Sequence, residues 1–334
     1  MPLADTNGLE AVILSPPGVG AHPLAIINHG TPRKPDQRAT MNPSSMLPMA
    51  IEFARRGWTT VILMRRGYGR SGGKFAETIG SCDHPDYKHA AAEAGRDIRA
   101  AIGYLSNLAE VDSGHVLIVG VSSGGFATIA LAANPPPGVV AGISFAAGNG
   151  SMADGEVCRP EALVEAFGSY GMKSRLPMLW VYSENDHYFS PELANHFYEA
   201  FTKGGGHAEF RRVASFQEDG HRLFSFEGIP VWTRYVDEFL ENHKLALRSE
   251  LLPPPPLPNV PPPPELSPAW QGAFHYYLAA PTVKAFAVSS DGFFGYRFGE
   301  STAEEAQRKA VHNCDQQTAK HDCRVAFLND RPIK

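Results

Sequence analysis

Two adjacent serines, Ser122 and Ser123, lie in the segment GVSSGG at residues 120–125. The segment matches the pattern G-x-S-x-G with Ser122 at its centre. An apolar run ends at Gly120, and an alanine-rich run begins just after the serines. A tight turn from a strand into a helix strains the backbone of the central serine and lifts its hydroxyl clear of the chain, as a nucleophile requires. The segment lacks GK[ST] and GxGxxG, so a phosphate-binding loop is not favoured.

A serine hydroxyl attacks well only when a base takes its proton, so a histidine and a group that orients it are needed. In a parallel α/β architecture we expect the acid and then the histidine to follow the serine. Asp186 comes shortly after the apolar run PMLWVYS and is the predicted acid, with Glu184 as the alternative. His221 lies in the loop FQEDGHRLF after the last strand-like run and is the predicted base. His187 adjoins the acid and is too close in sequence to turn back onto it.

A developing oxyanion needs backbone N–H donors that are already in place. One is expected from Ser123, the residue after the nucleophile. The second is expected from the segment NHGTP at residues 28–32, where Thr31 is the predicted donor and Gly30 the alternative. His29 is expected to be structural, beneath this loop.

The elements that position these residues alternate between strand-like and helical patterns. Runs rich in Ile, Val and Leu occur at residues 23–30, 58–66, 115–120, 139–148, 177–184 and 208–215, with helical patterns between them. This alternation predicts a mostly parallel sheet with helices on both faces. Active groups collect in loops beyond the carboxyl ends of such strands, and every candidate residue follows a strand-like run.

Five segments together resemble the α/β-hydrolase superfamily: NHGTP, RRGYGRSGG, GVSSGG, YSENDHYF and EDGHRLF. Their order and rough spacing are most similar to its dienelactone-hydrolase-like and prolyl-oligopeptidase-like branch, over residues 9–247. The resemblance implies an eight-stranded sheet with one antiparallel strand near the start, and a triad of Ser122, Asp186 and His221. Dienelactone hydrolases use a cysteine nucleophile, so ester hydrolysis is implied here but lactone specificity is not.

The surroundings of the site can also be predicted in outline. Only residues 149–176 separate two strand-like runs where many relatives insert a lid, which leaves room for one or two short helices and an open cleft. Three arginines of the segment at residues 65–73, Arg65, Arg66 and Arg70, are expected to hold their loop through ion pairs, with binding of an acidic substrate group as the alternative.

A proline-rich segment at residues 251–268 divides the chain. Proline fixes φ and donates no N–H, so this segment is expected to be an extended spacer. We therefore predict a catalytic domain at residues 1–250 and a small α+β module at residues 269–334. The module has a hairpin signal at Asp291-Gly292 and a capping-box pattern at Ser301 and Glu304. It resembles small envelope-associated bacterial modules, and binding of a protein or envelope component is its expected role.

The four cysteines divide two and two between the predicted parts. This division predicts the disulfides Cys82–Cys158 and Cys314–Cys323 and an oxidising compartment, periplasmic or secreted. Four unrelated buried thiols in a cytoplasmic protein are the alternative. The segment MPLADTNGLE shows no signal-peptide pattern, which fits either a cytosolic protein or one that begins after a removed signal. The first disulfide would join two loops that border the site.

Composition narrows the class of protein further. The net charge of −5 gives no indication of a nucleic-acid partner. The sequence has no run of eighteen apolar residues, which is the length needed to span a bilayer. The cysteines and histidines show no metal-site spacing, so no metal or cofactor is predicted. The sequence thus predicts a serine hydrolase that cleaves small carboxylic esters through a Ser-His-Asp triad and an acyl-enzyme. The alternatives are a serine peptidase of the same fold and a non-enzymatic envelope scaffold.

Overall fold

The structure is a computed structural model that describes residues 7–246, 248–254 and 256–333. The chain divides into two compact units, Met1–Leu252 and Pro253–Lys334. Among the residues that the structure describes, no helix is long and apolar enough to cross a membrane.

In the described part of the first unit there are nine strands: β1 (Ala11–Leu14), β2 (His22–Asn28), β3 (Thr59–Leu63), β4 (Val111–Val121), β5 (Val139–Phe145), β6 (Ser151–Ala153), β7 (Glu156–Val157), β8 (Met178–Ser183) and β9 (Ala208–Val213). Seven of them form one sheet in the order β1-β3-β2-β4-β5-β8-β9. All neighbours in it are parallel except β1, which runs antiparallel to β3. The mostly parallel sheet and the antiparallel strand near the start are as predicted.

The sheet has seven strands in the described residues, so the expectation of eight is wrong there. Of the described residues before β1, Gly8 and Glu10 are hydrogen-bonded through their backbone groups to the loop after β3. Met64 N–H donates to the Glu10 carbonyl (3.0 Å), and Gly72 N–H donates to the Gly8 carbonyl (2.9 Å). The carboxylate of Glu10 also accepts from the backbone N–H of Arg70 (2.7 Å).

The helices of this unit that the structure describes are α1 (Leu47–Arg55), α2 (Tyr87–Leu105), α3 (Ser123–Ala132), α4 (Pro160–Gly171), α5 (Pro191–Lys203) and α6 (Ile229–Asn242). Leu24 and Ile26 of β2 belong to a cluster with residues of α2 and α3, and the alternate residues Ala25 and Ile27 are also fully buried. Because side chains alternate across a strand, helices must cover both faces of the sheet.

The segment between β5 and β8 contains one helix, α4, and the short hairpin of β6 and β7. This is the small lid that the sequence predicts, with a hairpin in addition to the helix. The Cys82–Cys158 disulfide joins the loop after β3 to the residue that follows β7. Cys158 is buried, and its carbonyl accepts a hydrogen bond from the hydroxyl of Tyr87.

The second unit contains the strands β10 (Ala285–Val288), β11 (Phe294–Arg297), β12 (Arg324–Leu328) and β13 (Arg331–Pro332) and the helices α7 (Gln271–Ala279) and α8 (Ala303–Asp315). Its antiparallel sheet has the order β11-β10-β12-β13. Ala285 and Ala287 pack with α8, whereas Phe286 and Val288 pack with α7. The sheet is therefore covered by a helix on each face.

Three further features of this unit bear on the sequence analysis. Cys314 and Cys323 form the second predicted disulfide. The cap of α8 is Thr302, whose hydroxyl accepts from Glu305 N–H (3.2 Å), so the predicted cap at Ser301 is wrong by one residue. Val260 and Leu266 of the proline-rich segment pack on the core of this unit, and Trp270 before α7 is 42% exposed.

Candidate active site

Ser122 lies between β4 and α3 with φ 56° and ψ −124°, outside the regions that residues with side chains normally adopt. Two glycines make this turn possible. A Cβ at Gly120 would lie 2.2 Å from the Gly124 carbonyl oxygen, and one at Gly124 would lie 2.4 Å from the carbonyl oxygens of Asn28 and His29. The G-x-S-x-G pattern thus records backbone contacts that leave no room for a side chain. Gly125 likewise allows α3 to approach Ser144 of β5.

The same pattern occurs a second time, at residues 69–73, where the sequence is GRSGG. Its central residue, Ser71, lies in the loop after β3 and is buried. Its hydroxyl donates to the Met64 carbonyl (2.7 Å) and accepts from Glu10 N–H (2.9 Å). Ser71 therefore holds its own loop, and the sequence pattern alone does not distinguish it from Ser122.

Asp186 and His221 form a hydrogen-bonded pair in the loops after β8 and β9. The His221 Nδ1 atom lies 3.1 Å from Asp186 Oδ1 and 3.0 Å from Oδ2. The Asp186 side chain is fully buried, and Oδ1 also accepts from the backbone N–H groups of Tyr188 (2.7 Å) and Phe189 (3.0 Å). A carboxylate only accepts hydrogen bonds, so Nδ1 carries the proton and Nε2 is left as the basic nitrogen of the neutral ring.

The loop that carries His221 is fixed by close contacts with the loop that carries Asp186. Gly220 N–H donates to the Asn185 carbonyl (3.0 Å), and a Cβ at Gly220 would lie 2.5 Å from Ser183 Cβ. The carboxylate of Asp219 accepts from His221 N–H (2.9 Å) and from His187 N–H (3.1 Å). The two loops therefore behave as one packed unit.

The ring of His221 stacks on Tyr188, with centroids 3.9 Å apart and planes 13° apart. The guanidinium carbon of Arg33 lies 3.6 Å from the centroid of the same tyrosine ring. At these distances from the Tyr188 centroid, the His221 ring and the Arg33 guanidinium must each lie over a face of the tyrosine ring. They would collide on the same face, so the Tyr188 ring lies between them. Arg33 in turn pairs with Asp154 (2.7 Å) and donates to the Ser151 hydroxyl (2.9 Å) of the β6–β7 hairpin.

Thr31 and Ser123 are joined through their side chains. The Thr31 hydroxyl lies 2.7 Å from the Ser123 hydroxyl and 2.6 Å from the Tyr68 hydroxyl. A Cβ at the neighbouring Gly30 would lie 3.0 Å from Ser122 Cβ and 3.5 Å from its Oγ. The loop after β2 therefore borders Ser122 directly, as a loop that supplies an oxyanion donor must.

The structure places the alternative residues elsewhere. Glu184 is exposed, and His187 is exposed and 3.5 Å from Asp154. His29 is buried under the loop after β2, where its Nδ1 donates to the Gly30 carbonyl (2.8 Å) and its Nε2 accepts from Arg65 N–H (3.2 Å). Burial, and then the Arg65 cation, lower the pKa of His29 well below its usual range. His29 is therefore neutral and structural, as expected.

Two of the three arginines after β3, Arg65 and Arg66, hold their loops through buried or partly buried ion pairs, which favours the structural interpretation for these two. Arg65 is fully buried and pairs with Glu77 (Nη2 to Oε2, 3.0 Å), while one of its Nη atoms donates to the His29 carbonyl (2.9 Å). Arg66 pairs with Asp97 (2.5 Å) and Glu93 (2.8 Å).

Ser122, Asp186 and His221 all follow the carboxyl ends of parallel strands, β4, β8 and β9 respectively. Because β4, β5, β8 and β9 are consecutive in the sheet, the three residues lie along one edge. A groove of about 820 Å³ lies beside the β6–β7 hairpin, lined by the Cys82–Cys158 disulfide, Met152, Val157 and the first residues of α4 and α5. Within the described residues, no cluster of His, Cys, Asp and Glu is placed to hold a metal ion.

A mostly parallel sheet covered by helices, with a strained serine after a central strand, defines the α/β-hydrolase class of protein. Within that class, the chain belongs to the X-Pro dipeptidyl-peptidase (S15) family, whose sequence pattern matches residues 5–185. The match contains Thr31, Tyr68 and Ser122 and ends one residue before Asp186. A comparison with curated proteins found no match.

Solved structures with the same fold include three from different sources. A proposed dienelactone hydrolase from Klebsiella pneumoniae is 15% identical with a TM-score of 0.50, and the match covers 70% of this chain and 93% of that one. An esterase from Pyrococcus furiosus is 16% identical with a TM-score of 0.50, covering 71% and 91%. The acylaminoacyl peptidase of Pyrococcus horikoshii is 15% identical with a TM-score of 0.51, covering 75% of this chain and 42% of that one. At these identities the likeness shows the fold.

Proposed function

We propose that the first unit is a serine hydrolase that cleaves small carboxylic esters through a triad of Ser122, His221 and Asp186. The observation that carries the proposal is the pairing of His221 with a buried Asp186, together with a strained serine that follows a strand at the same edge of the sheet. A neutral histidine oriented by a carboxylate is the base that a serine hydroxyl needs.

In the proposed reaction, Ser122 Oγ attacks the ester carbonyl while Nε2 of His221 takes the hydroxyl proton. The oxyanion that forms accepts hydrogen bonds from the N–H groups of Ser123 and Thr31. The tetrahedral intermediate then expels the alcohol, which leaves with the proton from His221. Water, deprotonated by the same nitrogen, releases the acid and restores Ser122. Asp186 holds the ring and stabilises its protonated form.

Labelling with a fluorophosphonate tests the nucleophile. We expect the wild type to be labelled at Ser122 and Ser122→Ala to be unlabelled and inactive on p-nitrophenyl acetate. Ser71→Ala is the matched control, because Ser71 stands at the centre of the second G-x-S-x-G pattern. Equal labelling of wild type and Ser122→Ala, or loss of labelling in folded Ser71→Ala alone, would refute the assignment.

A peptidase is the second candidate, favoured by the family match over residues 5–185. The same groups would attack an amide, with His221 delivering the proton to the leaving amine. Kinetics on X-Pro arylamides and p-nitrophenyl esters separate the two functions. A higher kcat/KM on the arylamides would replace the ester proposal with this one.

The two disulfides support a proposed location in an oxidising compartment, periplasmic or secreted. The mass of the protein from its native source, measured with alkylation before and after reduction, tests this. Four cysteines alkylated without reductant would contradict it.

A further inference from the structure

A chain of hydroxyl groups leads from the residue after Ser122 to a buried carboxylate. The Ser123 hydroxyl lies 2.7 Å from that of Thr31, which lies 2.6 Å from the hydroxyl of Tyr68. Tyr68 in turn donates to Glu77 Oε2 (3.1 Å). The links are 92, 37 and 9 residues apart in sequence, so the folded structure alone brings them together.

The carboxylate fixes the direction of every hydrogen bond in this chain. Glu77 is buried and forms an ion pair with the buried Arg65, so its carboxylate oxygens accept hydrogen bonds. Burial, and then the Glu77 charge, raise the pKa of the Tyr68 hydroxyl, which therefore keeps its proton and donates it to Glu77. The Tyr68 oxygen then accepts from Thr31, and the Thr31 oxygen accepts from Ser123. All three hydroxyl groups therefore donate in the direction of Glu77.

The direction of these hydrogen bonds has a consequence for Thr31 and Ser123, the two residues of the series that lie nearest Ser122. The hydroxyl protons of Thr31 and Ser123 are both used in these hydrogen bonds, so neither is available to a substrate oxygen. Their hydrogen bond instead links the loop after β2 to the first turn of α3, the two segments that would supply the oxyanion donors. Rigid placement of such donors is what makes them effective in a transition state.

We propose that Tyr68, held by Glu77, is a positioning residue that fixes the spacing of the Thr31 and Ser123 N–H groups and thereby sets the strength of the oxyanion hole. Tyr68 touches no reacting atom in this role and acts through Thr31. The inference rests on the proposed function, since it requires an oxyanion at Ser122.

The first test is Tyr68→Phe, which removes one hydroxyl and keeps the ring against His29 and Phe75. We expect kcat on p-nitrophenyl acetate to fall about tenfold while KM changes less than about twofold, because the lost interaction acts on the transition state. The affinity for a boronic acid that mimics the tetrahedral intermediate should fall by the same factor. Tyr87→Phe is the matched control, because it removes a buried tyrosine hydroxyl that donates to Cys158 instead.

A second pair of variants keeps the inference testable if Tyr68→Phe is poorly folded. Thr31→Val keeps the backbone N–H and removes the hydroxyl, whereas Thr31→Ser keeps both. We expect Thr31→Val to lose about as much activity as Tyr68→Phe, and Thr31→Ser to lose clearly less than Thr31→Val because serine keeps the hydroxyl. The double variant Tyr68→Phe/Thr31→Val should be no less active than the single variants, because both substitutions interrupt the same series of hydrogen bonds.

Failure of the inference and failure of the proposed function give different results. If Ser122→Ala keeps full activity, the proposed function is wrong. If Ser122→Ala is inactive but folded Tyr68→Phe matches wild type in kcat and in boronic acid affinity, the inference is overturned and the function stands. Independent effects that multiply in the double variant would also overturn it.

Discussion

The ring of Tyr188 lies 3.9 Å from that of His221, and the two planes are only 13° from parallel. The main chain of Tyr188 also donates to Asp186 (2.7 Å), so one residue supports both members of the acid–base pair. The guanidinium of Arg33 stacks on the other face of Tyr188 and forms an ion pair with Asp154 of the β6–β7 hairpin. The position of the histidine ring is thereby coupled to the hairpin.

This stack gives the first prediction. Tyr188→Leu keeps the backbone N–H to Asp186 but removes the ring, so His221 should become less well placed. An aromatic pair contributes about 0.5–1.5 kcal/mol, which corresponds to a loss in kcat/KM of about two- to tenfold. Tyr188→Phe keeps the stack and should stay within about twofold of wild type. Equal activity of all three proteins on p-nitrophenyl acetate would show that the ring has no part in positioning His221.

Gly30 gives the second prediction. Its φ lies outside the left-handed region, so alanine fits the backbone, but the new methyl would lie 3.5 Å from Ser122 Oγ. We expect Gly30→Ala to lower kcat/KM by about tenfold or more, because the methyl fills space at the reacting hydroxyl. The melting temperature should change by less than about 4 °C.

Gly103→Ala is the control for that substitution, since no atom lies within 4 Å of its added Cβ in helix α2. This change should leave activity unaltered and stabilise the protein by about 0.5–1 kcal/mol. Melting curves and initial rates on p-nitrophenyl acetate measure both properties. A stable, fully active Gly30→Ala protein would contradict the placement of the loop after β2 beside the reacting atoms.

The third prediction concerns acid stability. Burial and Arg65 lower the pKa of His29, so the folded protein keeps this ring neutral at pH values where the unfolded chain protonates it. The unfolded state then binds one proton more, and the free energy of unfolding falls as the pH drops below about 6.5. The contribution is about 1.4 kcal/mol per pH unit until the folded-state pKa is reached.

Urea unfolding of wild type and His29→Asn between about pH 7.5 and about pH 5 measures this contribution. The asparagine cannot titrate, so its stability should decline less steeply with falling pH. Parallel slopes for the two proteins would show that His29 is protonated equally in both states.

The two disulfides give the fourth prediction. Cys82 and Cys158 are 76 residues apart, whereas Cys314 and Cys323 are 9 apart. On chain-entropy grounds, the double alanine variant of the first pair should lose about 4.5 kcal/mol in its unit and that of the second about 2.7 kcal/mol. Urea unfolding of the two variants tests the order. A larger loss for the shorter loop would show that native contacts, rather than the unfolded chain, dominate.

The sequence predicts those parts of the molecule that depend on local pattern. Alternating runs predict the parallel sheet, and the glycines around Ser122 indicate the turn because any side chain there would collide with backbone. The sequence around Ser71 matches G-x-S-x-G as well as the sequence around Ser122 does. Only the three-dimensional structure shows that the Ser71 hydroxyl is hydrogen-bonded within its own loop. The resemblance implies eight strands, whereas the described residues form a sheet of seven. Gly8 and Glu10 bond to the loop after β3 through long-range contacts that have no local sequence signal.

The supporting residues of the candidate site could not be predicted for the same reason. Tyr68 and Thr31 are 37 residues apart, and the Thr31 and Ser123 side chains meet across 92 residues. Ser123 was expected to act through its backbone alone, whereas its hydroxyl also bonds to Thr31. Arg33 lies outside the five segments, and Tyr188 lies in YSENDHYF without a predicted role, because their stacking depends on how two loops pack. Their roles follow from tertiary contacts.

The distribution of tryptophans makes the second unit optically distinct. The chain has four tryptophans, and the three of the first unit, Trp58, Trp180 and Trp232, are fully buried. Trp270 is 42% exposed and is the one tryptophan of the second unit. Acrylamide should therefore quench Trp270 first, and Trp270→Phe would leave a protein whose fluorescence reports on the hydrolase unit alone. Comparison of the fluorescence of wild type and Trp270→Phe then distinguishes the unfolding of the second unit from that of the first in the intact chain.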